Sequence, residues 1–453
     1  MNNHFDRRKF IGTMGLAAAS SVVPTLGQSA NKNSKLRLLQ IGVGGIGAMD
    51  RNALKKHPKV EIAGLCDINK KHLDEVARQF PKAATYADAR IALTKDIDNY
   101  DGVVVCTPDH SHAVFALQAM AKDKHLFLQK PVVQQLDEIR MLKKALAAKP
   151  GLATQMGNQR SAIAGRNQAI AILKSGALGK ATSAWAWTGK VAVNHYFDKP
   201  WLEKYYDAQP VPSHINWDLW KNCYAGEVPY NNDIAHRKWR TYWEFGGGQL
   251  ADWCCHLLDV IFLGLDLEAP ICVQTDTPRP STPVGHSAYN QSRLTFNKTA
   301  YTKGERFIVH YNDHDIHPPC SETGLPLGTR YGSNHTIFVC ENGTIVLQAN
   351  GTLHIYQNGK KVDNFPLPKV ASHNHWHDWV DNCFGAKNKL LGDLNIGALV
   401  TEAGLLTVKA TRYPNRELIW DSKANRFKDD PPNKHILKRA EYRDGFKPPA
   451  EFA

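Results

Sequence analysis

Asp252 and His256 stand four residues apart, directly after the glycines Gly246-Gly247-Gly248. On a helix that spacing places both side chains on one face, with Asp259 one turn further along. A carboxylate beside an imidazole orients the ring and raises its basicity, as a general base that takes a hydroxyl proton requires. The three glycines allow the backbone to pass close to a ligand. Taken alone, an Asp–His pair on a helix is more often a structural contact than a catalytic one, and both readings stand at this point. A second set of residues is Gly42-Val43-Gly44-Gly45-Ile46-Gly47, which follows the apolar run 36–41 and opens a helix-like segment reaching about Lys56. A further apolar run, 60–66, ends in Asp67, twenty residues after Gly47. A GxGxxG pattern means little alone, but between a strand and a helix, with an acid at this distance, it specifies a dinucleotide site. Gly42 permits the tight turn, Gly44 admits the pyrophosphate, and Gly47 lets helix and strand pack closely. Gly45 and Ile46 begin the helix whose amides and partial positive charge meet the phosphates. Asp67 is expected to accept from the adenosine ribose hydroxyls and to repel a 2′-phosphate, favouring NAD over NADP. Its alternative reading is a cap for the helix that follows.

These residues need a frame. Strand-like runs at 102–107, 125–129 and 152–156 alternate with helix-like segments at 112–122 and 134–148. That alternation predicts a doubly wound parallel sheet, in which ligands sit at the carboxyl ends of the strands. Three segments converge there: Thr107-Pro108-Asp109-His110, Gln129-Lys130-Pro131 and Gly157-Asn158-Gln159. Beyond them, Ala181 to Gly189 alternates with Trp185 and Trp187 on one face, as an exposed sheet strand would. The stretch 194–243 is long, aromatic and rich in Pro and Asn, and reads as an elaborated loop bordering the site. The tail from about Asn415 is polar and proline-containing, and is expected to wrap the surface or a neighbouring subunit.

The chain has 453 residues, 43% hydrophobic and 22% charged, which suits two globular domains and excludes a disordered, collagenous or disulfide-scaffold protein. The net charge of +13 comes from scattered Lys and Arg without a run of five or six, so nucleic-acid binding is not expected. Residues 1–30 carry Arg7-Arg8 ahead of a weakly apolar run and small residues near Ala30, a pattern similar to a twin-arginine export signal. A periplasmic protein that crosses the membrane folded is therefore expected, with no membrane span once the signal is removed. The nine cysteines are dispersed and are expected to be mostly free thiols. The division read from the chain is signal 1–30, nucleotide domain 35–156, substrate and oligomerisation domain 157–415, and tail 416–453.

With these motifs together, the chain resembles the Gfo/Idh/MocA family, relatives of glucose–fructose oxidoreductase and inositol dehydrogenase. The resemblance rests on the glycine loop, on Thr107-Pro108-Asp109-His110-Ser111-His112, on Gln129-Lys130-Pro131, and on Gly246-Gly247-Gly248 leading to Asp252 and His256. The family usually has Glu-Lys-Pro where this chain has Gln129-Lys130-Pro131. The resemblance implies an N-terminal Rossmann domain, a C-terminal α+β domain with an open mixed sheet, and pairing of that sheet in a dimer or tetramer. It also tips Asp252 and His256 towards catalysis. His256 is then the base, Lys130 the cation that stabilises a developing alkoxide, and Asp252 the group that orients the pair and bonds the sugar. Thr107, Pro108, His110, His112, Gln129, Lys130 and Asn158 are expected around the cofactor. Gln159, Trp185, His195, Trp243 and Trp253 are expected to line the substrate, although packing is the commoner role of such aromatic residues.

Two histidine groups raise the question of a metal. His373, His375 and His377 with Asp378 cannot all share one helix face, and His310, His314 and His317 with Asp313 and Asp315 lie in a polar turn. Both are read as solvated or substrate-contacting, and no metal is assigned. The reading is an NAD-dependent oxidoreductase acting on a hydroxyl of a sugar or glycoside, with a tightly held, recycled cofactor. One alternative is a redox-assisted glycosidase, in which oxidation at C3 permits elimination and the ketone is then reduced. The other is a non-catalytic sugar-binding protein with a structural NAD.

Overall fold

Hydrophobic alternation builds two sheets that share one core. The computed structural model describes residues 34–189, 207–278 and 281–453; the twin-arginine segment and His195 lie outside the described residues. The first sheet contains β1 (Leu36–Ile41), β2 (Val60–Cys66), β3 (Ala84–Tyr86), β4 (Gly102–Val105), β5 (His125–Leu128) and β6 (Thr154–Met156). Its order is β3-β2-β1-β4-β5-β6, and every pairing is parallel. The chain direction of winding reverses between β1 and β4, which leaves a crevice at their carboxyl ends. Leu39, Val103 and Leu126 face one apolar layer, while Leu38, Val104 and Phe127 face the other. The second layer is closed by Trp379 and Val380, from the helix His375–Cys383. Burying a side chain of this size fully contributes about 1.5–3 kcal/mol.

The second sheet is mixed. It contains β7 (Ala181–Trp187), β8 (Cys272–Asp276), β9 (Gln291–Asn297), β10 (Arg306–Asn312), β11 (His335–Cys340), β12 (Gly343–Gln348), β13 (Leu353–Gln357), β14 (Lys360–Lys361), β15 (Leu418–Asp421) and β16 (Arg426–Phe427). The order is β14-β13-β12-β11-β7-β10-β9-β8-β15-β16, with β7 parallel to β10 and antiparallel to β11. Ala184, Ala186, Val309 and Phe338 turn towards the helices Gly248–Leu257 and Leu394–Ala410 in the main core. The alternation in β7 is as expected, but its outer face is not exposed. Trp185 and Trp187 are 7% and 0% accessible, because Leu325 and Tyr331 of the β10–β11 connection lie over them.

The tail wraps the body of the molecule. Leu418–Asp421 joins β8 as a strand, and the chain then runs back over the nucleotide-binding half. There Tyr442 donates to Glu138 at 2.7 Å, Arg439 bonds Gln134, and Phe446 and Phe452 are buried. The described residues from Lys35 onward form a single compact body. No single helix among the described residues is long and apolar enough to cross a membrane. The nine cysteines are free thiols, seven of them buried.

Candidate active site

The glycine loop is held by local geometry. Gly42 has φ +86°, and a Cβ there would lie 2.6 Å from the Cys106 carbonyl oxygen. A Cβ on Gly47 would lie 2.2 Å from the Gly42 carbonyl oxygen, so the helix Gly45–Leu54 approaches β1 only with glycine at this position. Asp67 accepts from the Val43 amide at 2.9 Å and from the Asn69 amide at 2.8 Å. The cap of the helix Lys70–Ala77 is Asn69, not Asp67. Asp67 instead borders a cavity with Gly42, Gly44, Gly45, Thr107 and Pro108. A carboxylate has about four lone-pair positions, so two amide bonds leave capacity for a ribose diol. Among the described residues no Lys or Arg lines the cavity, whose carboxylates are Asp67 and Asp88, an unfavourable setting for a 2′-phosphate. The residues present therefore fit NAD. The cavity is roofed by Ile215, Leu219, Trp220 and Phe446. The roof is tied down by Lys70 donating to the His214 carbonyl at 2.8 Å and Asn216 donating to that of Ile68 at 3.0 Å.

At the far side of the crevice the helix Gly248–Leu257 carries Asp252 and His256. Lys130, at the end of β5, donates from Nζ to Asp252 Oδ1 at 2.6 Å and to the Asp252 carbonyl at 3.0 Å. Arg240 Nε lies 2.9 Å from the same Oδ1. Burial pushes the Asp252 carboxyl up, but Arg240 and Lys130 outweigh it and hold the group well below the usual carboxylate range. The chain bends by 43° after this helix, so Asp259 points at a different set of partners. It takes a bond from Asn158 Nδ2 at 2.7 Å and pairs with buried Arg166.

Asn158 fixes the state of the histidine. Its Nδ2 donates to the Asp259 carboxylate and to the Cys255 carbonyl, both of which only accept. Its Oδ1 must then face His256 Nδ1, 2.7 Å away. Nδ1 carries the hydrogen, and Nε2 is left with the lone pair of a base. Burial, with Lys130 and Arg160, holds the imidazole well below its ordinary pKa, so the ring is neutral at neutral pH. The three glycines serve packing as much as ligand approach. A Cβ on Gly246 would lie 2.4 Å from Arg240 Cα, and the Gly247 amide donates to Asp109 Oδ2 at 3.1 Å. Asp109 is buried, and desolvation pushes its carboxyl up to about 7 against the pull of Arg240.

Several anticipated residues sit elsewhere or act differently. Asn158 spends its side chain on His256 and Asp259 rather than on the cofactor cavity. His110 bonds the Trp220 carbonyl at 3.0 Å and packs against Trp220 and Phe245. His112 joins the Thr107 and Pro131 carbonyls at 2.8 and 2.7 Å, bracing two of the three converging segments. Ile46 packs in the sheet core. Gln129 turns to Asp50 at 2.7 Å; Asp50 also takes Trp376 Nε1 at 2.9 Å, so a glutamate at 129 would set two buried carboxylates against each other. Trp253 stands beside His256, with ring centroids 5.5 Å apart, and Gln159 is half-buried next to Asn158. Trp185 stacks on His310 at 3.6 Å on the outer sheet face, and Trp243 is packed on His286 and Arg412. Among the described residues no three His, Cys, Asp or Glu side chains form a metal-binding group. His375 takes a bond with Gln155, His373 faces Asp378, and His314 faces Asp313. Arg240 was not anticipated: it comes from the long loop, with no spacing signal linking it to Asp252.

Comparison with known proteins agrees with this geometry. Residues 36–157 match the family model described as oxidoreductase family, NAD-binding Rossmann fold, and residues 169–322 match that of its C-terminal alpha/beta domain. A glucose-6-phosphate 3-dehydrogenase of Bacillus subtilis is 32% identical over 104 residues, 23% of this chain and 28% of that protein. A glycosyl hydrolase family 109 protein of Shewanella pealeana is 30% identical over 160 residues, 29% of this chain and 35% of its own length. The chain thus spans about a third of these curated relatives. Among solved structures, the WlbA dehydrogenase of Chromobacterium violaceum, in complex with NADH and UDP-GlcNAcA, has a TM-score of 0.60 at 15% identity, covering 86% of this chain and 97% of that one. The aldose-aldose oxidoreductase of Caulobacter crescentus has a TM-score of 0.57 at 15% identity, covering 85% and 100%. These two share the fold, and the two family models between them account for more than half of the sequence. With its glycine loop, its Lys130 and its Asp252–His256 helix in place, the chain belongs to the Gfo/Idh/MocA oxidoreductase family.

Proposed function

We propose that the protein oxidises and reduces a secondary hydroxyl of a sugar or glycoside, using an NAD that stays bound between turnovers. The observation that carries this reading is His256, held neutral with Nε2 free of its Asn158 bond, beside the Lys130–Asp252 pair. Nε2 takes the hydroxyl proton, and the Lys130 ammonium, fixed by Asp252, stabilises the negative charge that develops on the oxygen. When bound, NAD supplies the hydride acceptor and later the donor. Trp253 offers an apolar wall beside the base. The roof over the adenosine end of the cavity favours slow exchange of the cofactor. Slow exchange suits an enzyme loaded before export, which the twin-arginine pattern suggests, and the remaining exposed outer face of β9 and β10 suits pairing with a second copy.

The glycosyl hydrolase family 109 relatives favour a second reading. There the same base and cation would serve transient oxidation at C3, loss of the C2 proton with elimination of the aglycone, addition of water across the resulting C1–C2 double bond, with hydroxyl to C1 and a proton back to C2, and return of the hydride to C3, with no net redox change. Purified protein is incubated with a panel of free sugars and aryl glycosides while nicotinamide absorbance and products are followed. A keto-sugar supports the oxidoreductase reading, released aglycone without net reduction supports the glycosidase, and neither product from any substrate refutes both.

A further inference from the structure

Among the described residues, the other cations around His256 each have a carboxylate. Lys130 and Arg240 share Asp252, and Arg166 has Asp259. Arg160 has none within ion-pair distance among the described residues. It stands on the short turn Gln159–Ala162, directly after the asparagine that holds His256. One edge of its guanidinium is tethered, Nη1 donating to the Ala349 carbonyl at 2.7 Å. Its face lies over the Trp253 ring at 5.5 Å, and that ring is in turn 5.5 Å from the His256 ring. Its Nε is buried with no hydrogen-bond partner. What remains is the Nε–Nη2 edge, two parallel donors with the spacing of a carboxylate or of two phosphate oxygens. A half-buried guanidinium oriented by a carbonyl and a ring, its fork left unfilled, is an oxyanion site built next to the reacting centre.

We infer that Arg160 binds a carboxylate or phosphate carried by the substrate, so that the enzyme acts on an anionic sugar, a hexuronate or a sugar phosphate, in preference to a neutral one. This rests on the sugar oxidoreductase reading and narrows its substrate class. A bidentate Arg–oxyanion contact is expected to be worth about tenfold or more in affinity.

The test uses the holoenzyme with matched hexose, hexuronate and hexose 6-phosphate in gluco, galacto and manno configurations. Binding is measured by calorimetry, and turnover by reduction of the bound nicotinamide. The wild type is expected to bind at least one anionic member ten or more times more tightly than its neutral partner. Arg160→Gln should abolish that preference in affinity while leaving the affinity for the neutral sugar and the dinucleotide content unchanged, and Arg160→Lys, which keeps charge but not the fork, should restore only part of it. The hexuronate and phosphate arms show which oxyanion is taken. Equal affinity for neutral and anionic partners, no binding of any anionic member, or a preference that survives in Arg160→Gln overturns the inference. Anion binding that depends on Arg160 without any cofactor reduction would uphold the subsite and count against the oxidoreductase reading instead.

Discussion

Asn158→Ala is the perturbation that most directly probes how the base is set. The substitution removes the acceptor of His256 Nδ1, 2.7 Å away, and one donor to Asp259, also at 2.7 Å. A buried polar group left unpaired costs about 1–3 kcal/mol, which is the scale on which the imidazole loses its fixed tautomer and orientation. At 1.36 kcal/mol per factor of ten, kcat should fall roughly 5–150-fold, less than the 10²–10⁴ expected for loss of the base itself. The acceptor also favours the imidazolium over the neutral ring, so its removal lowers the His256 pKa further and moves the acid limb of the rate profile to lower pH. The assay is the rate of bound-nicotinamide reduction against pH, with long-range ¹H–¹⁵N NMR reporting the tautomer. In the His256→Ala background the same substitution should cost nothing more in rate. Wild-type kcat with an unmoved acid limb and an unchanged tautomer in Asn158→Ala would refute the argument. A uniform rate loss without movement of the limb would reduce Asn158 to a packing role.

Lys130→Ala and His256→Ala should each abolish turnover with dinucleotide content near the wild-type level, because neither side chain borders the adenosine cavity; mass spectrometry of the denatured proteins checks this. Asp67→Ala should narrow the discrimination between NAD and NADP, measured as the ratio of their dissociation constants, since its carboxylate lines the cavity that would take the adenosine ribose and repels a 2′-phosphate there. NAD should co-purify with the protein and leave over minutes to hours on dialysis, with Phe446→Ala hastening its loss from beneath the roof; clean apo-protein dependent on free NAD would contradict this. Asp109 keeps its proton in the folded protein up to about pH 7, whereas the unfolded chain releases it near 3.8, so its contribution to stability falls as pH rises through that window and is flat above it. Buried His110, His112 and His256, whose pKa values are lowered, act in the opposite sense below about pH 6.5 in both proteins and cancel in the comparison. Thermal unfolding of Asp109→Asn against wild type should diverge between pH 4 and 7 by up to about 1.4 kcal/mol per unit.

The dinucleotide site was legible in the sequence because its parts are neighbours along the chain. Gly42, Gly44, Gly47 and Asp67 belong to one β–α–β unit, and local dihedrals and the strand–helix rise place them with no help from the rest of the molecule. The Asp252–His256 pair was legible for the same reason, since a helix makes i and i+4 adjacent. What the sequence alone left open concerns contacts across long separations. Lys130 reaches Asp252 over 122 residues, and Asn158 reaches His256 over 98. Periodicity showed that Trp185 and Trp187 share a face, but the β10–β11 connection decided that this face is covered. Gln129 read as a residue beside the cofactor until Asp50, on a helix 79 residues away, came up against it. Asn158 is a small amide that bonds equally well to a phosphate, a ribose or an imidazole. Only the packing of Asp259 and the Cys255 carbonyl against its Nδ2 turned its oxygen towards His256, and so chose which nitrogen of the histidine keeps a free lone pair.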